Sequence, residues 1–285
     1  MASLLDIRRN IQGISKIKKI TEALKMVSAA MIYRAEQRLN KTRPYSNMLY
    51  ELIADMSAGI EMGSHQFFQL HESHNALIVI ITSDRGLCGS FNGNVIREVN
   101  RYINAGKYRN FSLICIGKIG LTYFQRRKYA IEGQYINFIE GFQYSDVAEI
   151  VEMIIAYYLE KKYSRINIVY NEFKSASVQT VTNIQLLPMT IFENNKRVES
   201  IEYIYEPSSE TVIDSLLKQH ITFQVYRFVV ESFAAEQAAR MAAMQSATDN
   251  AQEVLNNLGL TLNRLRQAMI TTEIAEIVGA AEVLS

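Results

Sequence analysis

The sequence predicts a mixed α and β fold. The two ends of the chain form a long antiparallel coiled coil, and the middle forms an α/β domain with a largely parallel sheet. Three observations carry this. The 285 residues contain only three prolines, Pro44, Pro188 and Pro207, so segments 1–43 and 208–285 have none. Apolar residues recur at helical spacing in both of those segments. Between them, short runs rich in β-branched residues alternate with amphipathic helical patterns, the signature of strand–helix–strand units.

Residues 1–60 are expected to be the N-terminal coiled-coil helix. Ile7, Ile11, Ile14, Ile17, Ile20, Leu24, Val27 and Met31 follow one another every three or four positions, which reads as one apolar stripe. Ser3 or Asp6 is placed to cap its start. The helix is expected to continue past Pro44 after a kink. Residues 61–74, rich in Gly, His, Ser and Gln, read as a linker, and 75–206 as the α/β domain. Its strands are expected at 76–82, 111–117, 129–138, 166–173, 177–187 and 201–206, and its helices at 93–104, 118–127 and 145–162.

Residues 207–285 are expected to be the C-terminal coiled-coil helix, roughly 117 Å long at 1.5 Å per residue if unbroken. Its seam is Met244, Ala247, Ala251, Leu255, Leu258, Leu262, Leu265 and Met269. Two such segments separated by a folded insert can pair antiparallel, and their length disfavours an ordinary helical hairpin in a bundle. Gly259 interrupts the pattern at a cost of about 1 kcal/mol relative to Ala, so something outside the helix is expected to compensate there. From Ala268 to the end the helix is apolar around much of its circumference and extends past anything the first segment can cover. Such a surface needs other chains to sheathe it.

The net charge of +1 points to neither nucleic acid nor membrane. Its distribution is uneven: residues 1–43 carry ten Lys and Arg against three carboxylates. That is either a solvated helix face or a surface for an acidic protein. Single-stranded nucleic acid fits less well, since Tyr33 is the only aromatic among those cations. The charged N-terminus does not read as a signal peptide, and the longest apolar run, 76–81, is too short to span a bilayer. Two cysteines without a framework of spacings suggest a reducing compartment.

Candidate chemistry is sparse. Gly86, Gly89 and Gly93 follow the first strand, but no Gly-Lys-Ser/Thr follows and the spacing is not that of a dinucleotide fingerprint, so a tight packed turn is preferred over a phosphate cradle. Cys88 has no histidine near it in sequence, and His65, His71 and His74 lack the supporting ligands of a metal site. No spacing of carboxylates, or of base and nucleophile, suggests catalysis.

Three stretches carry a resemblance: DIRRNIQGISKIKKITEALKMVSAA (6–30), TSDRGLCGSFN (82–92), and ESFAAEQAARMAAMQSATDNA with RQAMITTEIAEIVGAA (231–251 and 266–281). They resemble the γ subunits of F-type ATP synthases over nearly the whole chain. The resemblance implies a central-stalk rotor with a Rossmann-like α/β domain beside the shaft. It implies no catalysis and no cofactor in this chain, with ATP, ADP and magnesium bound by the α and β partners. The implied partners are an α3β3 hexamer, the ε subunit and a membrane c-ring, and the implied location is the cytoplasmic face of a bacterial cell membrane. By matched position, Arg240, Arg266, Gln267, Thr271 and Glu273 are coupling contacts to β and α, joined by Lys18, Lys19, Leu24 and Lys25 of the basic helix. The family's foot motif appears as YIYEP, making Tyr203, Tyr205 and Glu206 candidate contacts to the c-ring or ε. Leu24 stands where many members have Met, and Ser90 stands where the loop motif has a second Gly. The segment 190–207 lacks the cysteines of a redox insert, so thiol regulation is not expected. Two other classes stay open: a nucleotide-dependent α/β enzyme with helical arms, and a static coiled-coil scaffold.

Overall fold

The computed structural model describes residues 4–57, 65–106, 108–138, 141–190, 206 and 208–284. Their elements run α1 (Leu4–Ser57), β1 (Asn75–Ile81), α2 (Phe91–Asn104), β2 (Asn110–Ile116), α3 (Lys118–Arg126), β3 (Ala130–Tyr135), α4 (Tyr144–Leu159), β4 (Arg165–Ser175), β5 (Val178–Leu187) and α5 (Ser209–Leu284). The chain divides into two compact units, 29–239 and a second made of 1–28 with 240–285.

In the unit 29–239 the strands form one sheet in the order β3-β2-β1-β4-β5. β1 pairs parallel with β2 and with β4, and β2 pairs parallel with β3. Each of those strands is separated from the next in sequence by a helix, which lets the chain cross over and return in the same direction. Only Ala176 and Ser177 lie between β4 and β5, so that pair is a hairpin and antiparallel. β1 is the central strand, and its residues 76–81 are all buried, as a strand covered on both faces requires. Leu77, Val79 and Ile81 face α1, α4 and α5, where Leu49, Ile53, Val147, Ile154, Leu217 and Val225 complete the larger core. Ile78 and Ile80 face the opposite layer, with Val95, Val99, Leu121 and Phe124 of α2 and α3.

Portions of both long helices therefore belong to the α/β unit. α1 passes through Pro44 without ending. Leu39 and Leu49, on either side of it, are buried, and the Thr42 hydroxyl donates to the carbonyls of Arg38 and Leu39 near the point where the proline removes a helical hydrogen bond. A chain of aromatic rings ties the elements together. Tyr45 of α1 meets Phe223 of α5 at 4.3 Å, Phe223 meets Tyr144 at 4.9 Å, and Tyr144 meets Tyr226 at 5.9 Å. The chain continues through Phe142 and Phe138 to Tyr135 at the end of β3, with centroids 5.5, 5.7 and 5.8 Å apart. The later part of the expected linker is packed: Phe67 is fully buried, its carbonyl accepts from Met189 N, and His65 Nε2 lies 2.9 Å from Asp214 of α5. The strand expected at 201–206 lies outside the described residues except for Glu206, which is exposed.

In the other unit, Lys18 Nζ donates to Gln252 at 2.7 Å, and the Thr21 and Thr248 hydroxyls lie 2.7 Å apart. As one partner number rises the other falls, so the two helices run antiparallel. This register carries Ile14, Ile11 and Ile7 toward Leu255, Leu258 and Leu262, and Ile7 is buried. An added Cβ at Gly259 would meet nothing within 4 Å, so no neighbour in this chain requires a glycine there.

Candidate functional site on the helical pair

Beside half-buried Ser15 and Leu24, the buried and half-buried seam positions of α1 in the helical pair are Leu4, Ile7, Ile11, Ile14, Lys18, Thr21, Lys25 and Ser28. They alternate spacings of three and four, the heptad period that keeps one face toward a partner. The expected stripe stepped by three from Ile11 to Ile20 and so drifted around the helix. Ile17, Ile20 and Val27 are 50%, 59% and 54% exposed, and Met26 is exposed as well. The seam instead crosses polar residues between Ile14 and Ile32. The structure thus turns Ile17, Ile20 and Val27, which the sequence reading had assigned inward, outward beside Met26. The signal was available: only the strict three–four alternation from Ile7 averages 3.5 residues.

On α5 the expected seam holds from Met244 to Leu265, with Thr248 sharing the place expected for Ala247. Past Leu265 no described residue covers the stretch to Ile277: Met269, Ile270, Ile274 and Ile277 are 50%, 46%, 56% and 69% exposed.

Lys18 sits on the seam with its ammonium held by Gln252, and Lys19 is exposed. Leu24 and Lys25 are half-buried. Among the described residues Lys18, Lys19 and Lys25 form no ion pair with a carboxylate, so this face keeps its positive potential. Arg240 is half-buried, whereas Arg266, Gln267, Thr271 and Glu273 are exposed. Thr271 Oγ1 donates to the Gln267 backbone carbonyl at 2.9 Å. The structure thus gathers Lys18, Lys19, Leu24, Lys25, Arg240, Arg266, Gln267, Thr271 and Glu273 in one unit. Of the foot residues, Tyr203 and Tyr205 lie outside the described residues.

The other chemical candidates resolve into packing. In the loop after β1, Ser83 N donates to Asn92 Oδ1, Asn92 Nδ2 donates to Ser83 Oγ at 2.7 Å, and Ser83 Oγ donates to the Arg85 carbonyl at 2.6 Å. Those bonds close the loop on itself and on the start of α2, and Cys88 is buried against Phe91 and Ala235 of α5. Gly117 explains the tightness beside it: φ is +97° and an added Cβ would lie 1.9 Å from the Thr82 carbonyl oxygen. Cys115 is buried in the sheet, which pushes its thiol up to about 12. His65 is joined to Asp214 and the His71 ring lies 4.5 Å from that of Tyr158. No group of three or more His, Cys, Asp or Glu among the described residues is arranged to hold a metal ion. No helix among them is long and apolar enough to cross a membrane.

A surface that is basic on one side and apolar on another can be enclosed, gripped and pushed. A family profile described as ATP synthase matches residues 3–284. The chain is 41% identical to the ATP synthase gamma chain of Chlorobium chlorochromatii over 292 residues, covering all of both chains. It is 40% identical to that of Chlorobaculum parvum, covering all of this chain and 99% of the other. Among solved structures, it is similar to a chain of the central stalk and c-ring of the Tetrahymena thermophila mitochondrial ATP synthase, with a TM-score of 0.61, 27% identity, and 80% and 99% of the two chains covered. A chain from the Euglena gracilis mitochondrial synthase shares the fold, with a TM-score of 0.68, 19% identity and coverage of 99% and 94%. With its long terminal helices, central parallel sheet and full-length relatives, the chain belongs to the ATP synthase gamma chain family, the central-stalk rotor subunit of F-type synthases.

Proposed function

We propose that this rotor subunit is itself non-catalytic and works as an axle inside an α3β3 ring, with nucleotide and magnesium bound by α and β. Its foot, including Tyr203, Tyr205 and Glu206, meets ε and the membrane c-ring, so the chain sits peripherally on the cytoplasmic face of a bacterial membrane. Ion flow turns the ring and the axle with it, and the axle presents a different face to each β subunit in turn. A contact can shift a β subunit between states only by the difference in free energy it makes with each state. A tenfold change in affinity needs about 1.4 kcal/mol. A swing of several decades therefore needs contacts spread along Lys18, Lys19, Leu24, Lys25, Arg240, Arg266, Gln267, Thr271 and Glu273.

The observation that supports this reading best is the helical pair whose longer member continues, apolar and bare, past the end of its seam. A static two-helix scaffold would have no use for that surface, and a nucleotide-dependent enzyme would not need it. The test mixes the purified chain with α and β subunits. The reading expects co-elution with the hexamer and no ATP hydrolysis or ATP binding by the chain alone. Hydrolysis by the isolated chain, or failure to join the hexamer, would contradict it.

A further inference from the structure

On the α2 face of the sheet, away from α1 and α5, a cavity of about 500 Å³ opens between the C-terminal half of α2 and strands β4 and β5. Glu98, Arg101, Tyr102, Arg165, Asn167 and Asn183 line it. Its only lining carboxylate is Glu98, which is held by Arg101 at 2.8 Å. Arg165, the first residue of β4, is half-buried, and its Nε is buried without a hydrogen-bond partner among the described residues. An oxygen entering the cleft cannot touch that enclosed Nε, and the guanidinium also bonds the Tyr102 hydroxyl, so Arg165 offers the cleft its remaining terminal N–H groups.

The polar groups around Arg165 form a one-way relay. The Tyr102 hydroxyl donates to Asn167 Oδ1 at 3.1 Å, and Asn167 Nδ2 donates to Asn183 Oδ1 at 2.7 Å. Asn167 is 5% exposed, so its amide is enclosed between the Tyr102 hydroxyl and Asn183. Asn183 Oδ1 accepts that bond and keeps a second lone pair, while its amino group can donate. Donors from Arg101, Arg165 and Asn183 share the cleft with two acceptors, the Glu98 carboxylate and the oxygen of Gln185, whose Nε2 donates to the Pro188 carbonyl. The negative end of α2, which would repel an anion, carries Arg101 in its last turn. We propose that this cleft is a binding site for a small oxyanion, phosphate or carboxylate, with Arg165 as the primary donor and the Asn183 amide as the second. Planar guanidinium groups match both anions, and a space of this size admits an anionic small molecule.

Calorimetric titration of the full chain with inorganic phosphate, and separately with citrate, tests this. The expected result is saturable binding of at least one, in the range of about a millimolar or tighter. Phosphate alone would identify a phosphoryl ligand, citrate alone a carboxylate ligand, and either supports the site. Arg165→Gln should weaken binding about tenfold or more, while Arg97→Gln, an exposed cation of α2 outside the cleft, should not. Glu98→Gln removes the only lining carboxylate and should tighten binding severalfold, a gain that misfolding cannot imitate. If neither anion saturates, the proposal is overturned. It is equally overturned if Glu98→Gln fails to tighten, or if a folded Arg165→Gln binds as wild type, which would assign the anion to the basic helix α1.

Discussion

Ile7 and Ile20 belong to the same helix, thirteen residues apart, and differ fifteenfold in exposure, 4% against 59%. Ile7→Ser should destabilise the chain by about 2–4 kcal/mol, through lost burial and a hydroxyl left on an apolar seam. Ile20→Ser should change its stability by less than about 0.5 kcal/mol, as an exposed site does, and should instead weaken assembly with α and β. Urea unfolding of the two variants, with hexamer pull-down beside it, separates the roles. Equal losses of stability would mean that Ile20 lies on the seam. His220 gives a pH-dependent expectation. Burial first, then the nearby Arg227 cation, lowers its pKa from 6.5 to about 4. A histidine depressed in the folded state keeps its full contribution above pH 6.5 and loses it as pH falls toward 4, because the unfolded chain takes up the proton first. The loss amounts to about 3 kcal/mol at 1.36 kcal/mol per unit. Stability of the wild type should fall across that window, and His220→Gln should flatten the fall. An unchanged slope in the variant would show that His220 does not titrate this way.

At the scale of elements, the helices depend on one another more than on their own propensities. The seam between residues 4–28 and 244–265 is narrow, and its centre is polar, with Lys18, Thr21, Thr248 and Gln252 at hydrogen-bonding positions. Such a centre contributes register rather than burial, as buried polar positions in coiled coils do. Leu258→Pro would remove a seam side chain and break the helix that carries it, at a cost of about 3 kcal/mol for the proline alone. It should impair assembly or coupled ATP synthesis in reconstituted vesicles more than any single surface charge change. Equal synthesis by that variant would refute the view that continuous helix is needed.

Much of this layer was legible in the sequence. The alternation of apolar runs and amphipathic stretches located the five described strands and the three short helices, because each has a period that survives without context. The seam of α5 was legible for the same reason. The α1 seam was legible at Ile7, Ile11 and Ile14 but not beyond them, because Lys18, Thr21, Lys25 and Ser28 look like surface residues until a partner is placed against them. The packing of Phe67 and His65 was hidden as well: Gly, His and Ser around them signal a connection and say nothing about what it folds onto.

At the scale of the molecule, the sequence resemblance and the full-length relatives agree on a rotor subunit, and its surfaces divide by partner chemistry. One face of α1 is cationic, the end of α5 is apolar, and a cleft lined by Arg101 and Arg165 lies on the α2 side of the sheet. Coupling spread over many contacts predicts that Arg266→Ala weakens ATP-driven ion pumping without abolishing ATP hydrolysis, since one exposed pair contributes at most about 1 kcal/mol. Complete loss of hydrolysis in an assembled complex carrying that variant would concentrate the coupling at a single residue. Cys88 and Cys115 are both buried, so Leu70→Cys at a 75% exposed position would provide one accessible thiol for a probe. With the α3β3 ring fixed to a surface and a bead on that thiol, the account predicts rotation in one direction on adding ATP, stopping when ATP is removed. A bead that holds a fixed orientation while the same complexes hydrolyse ATP would contradict it.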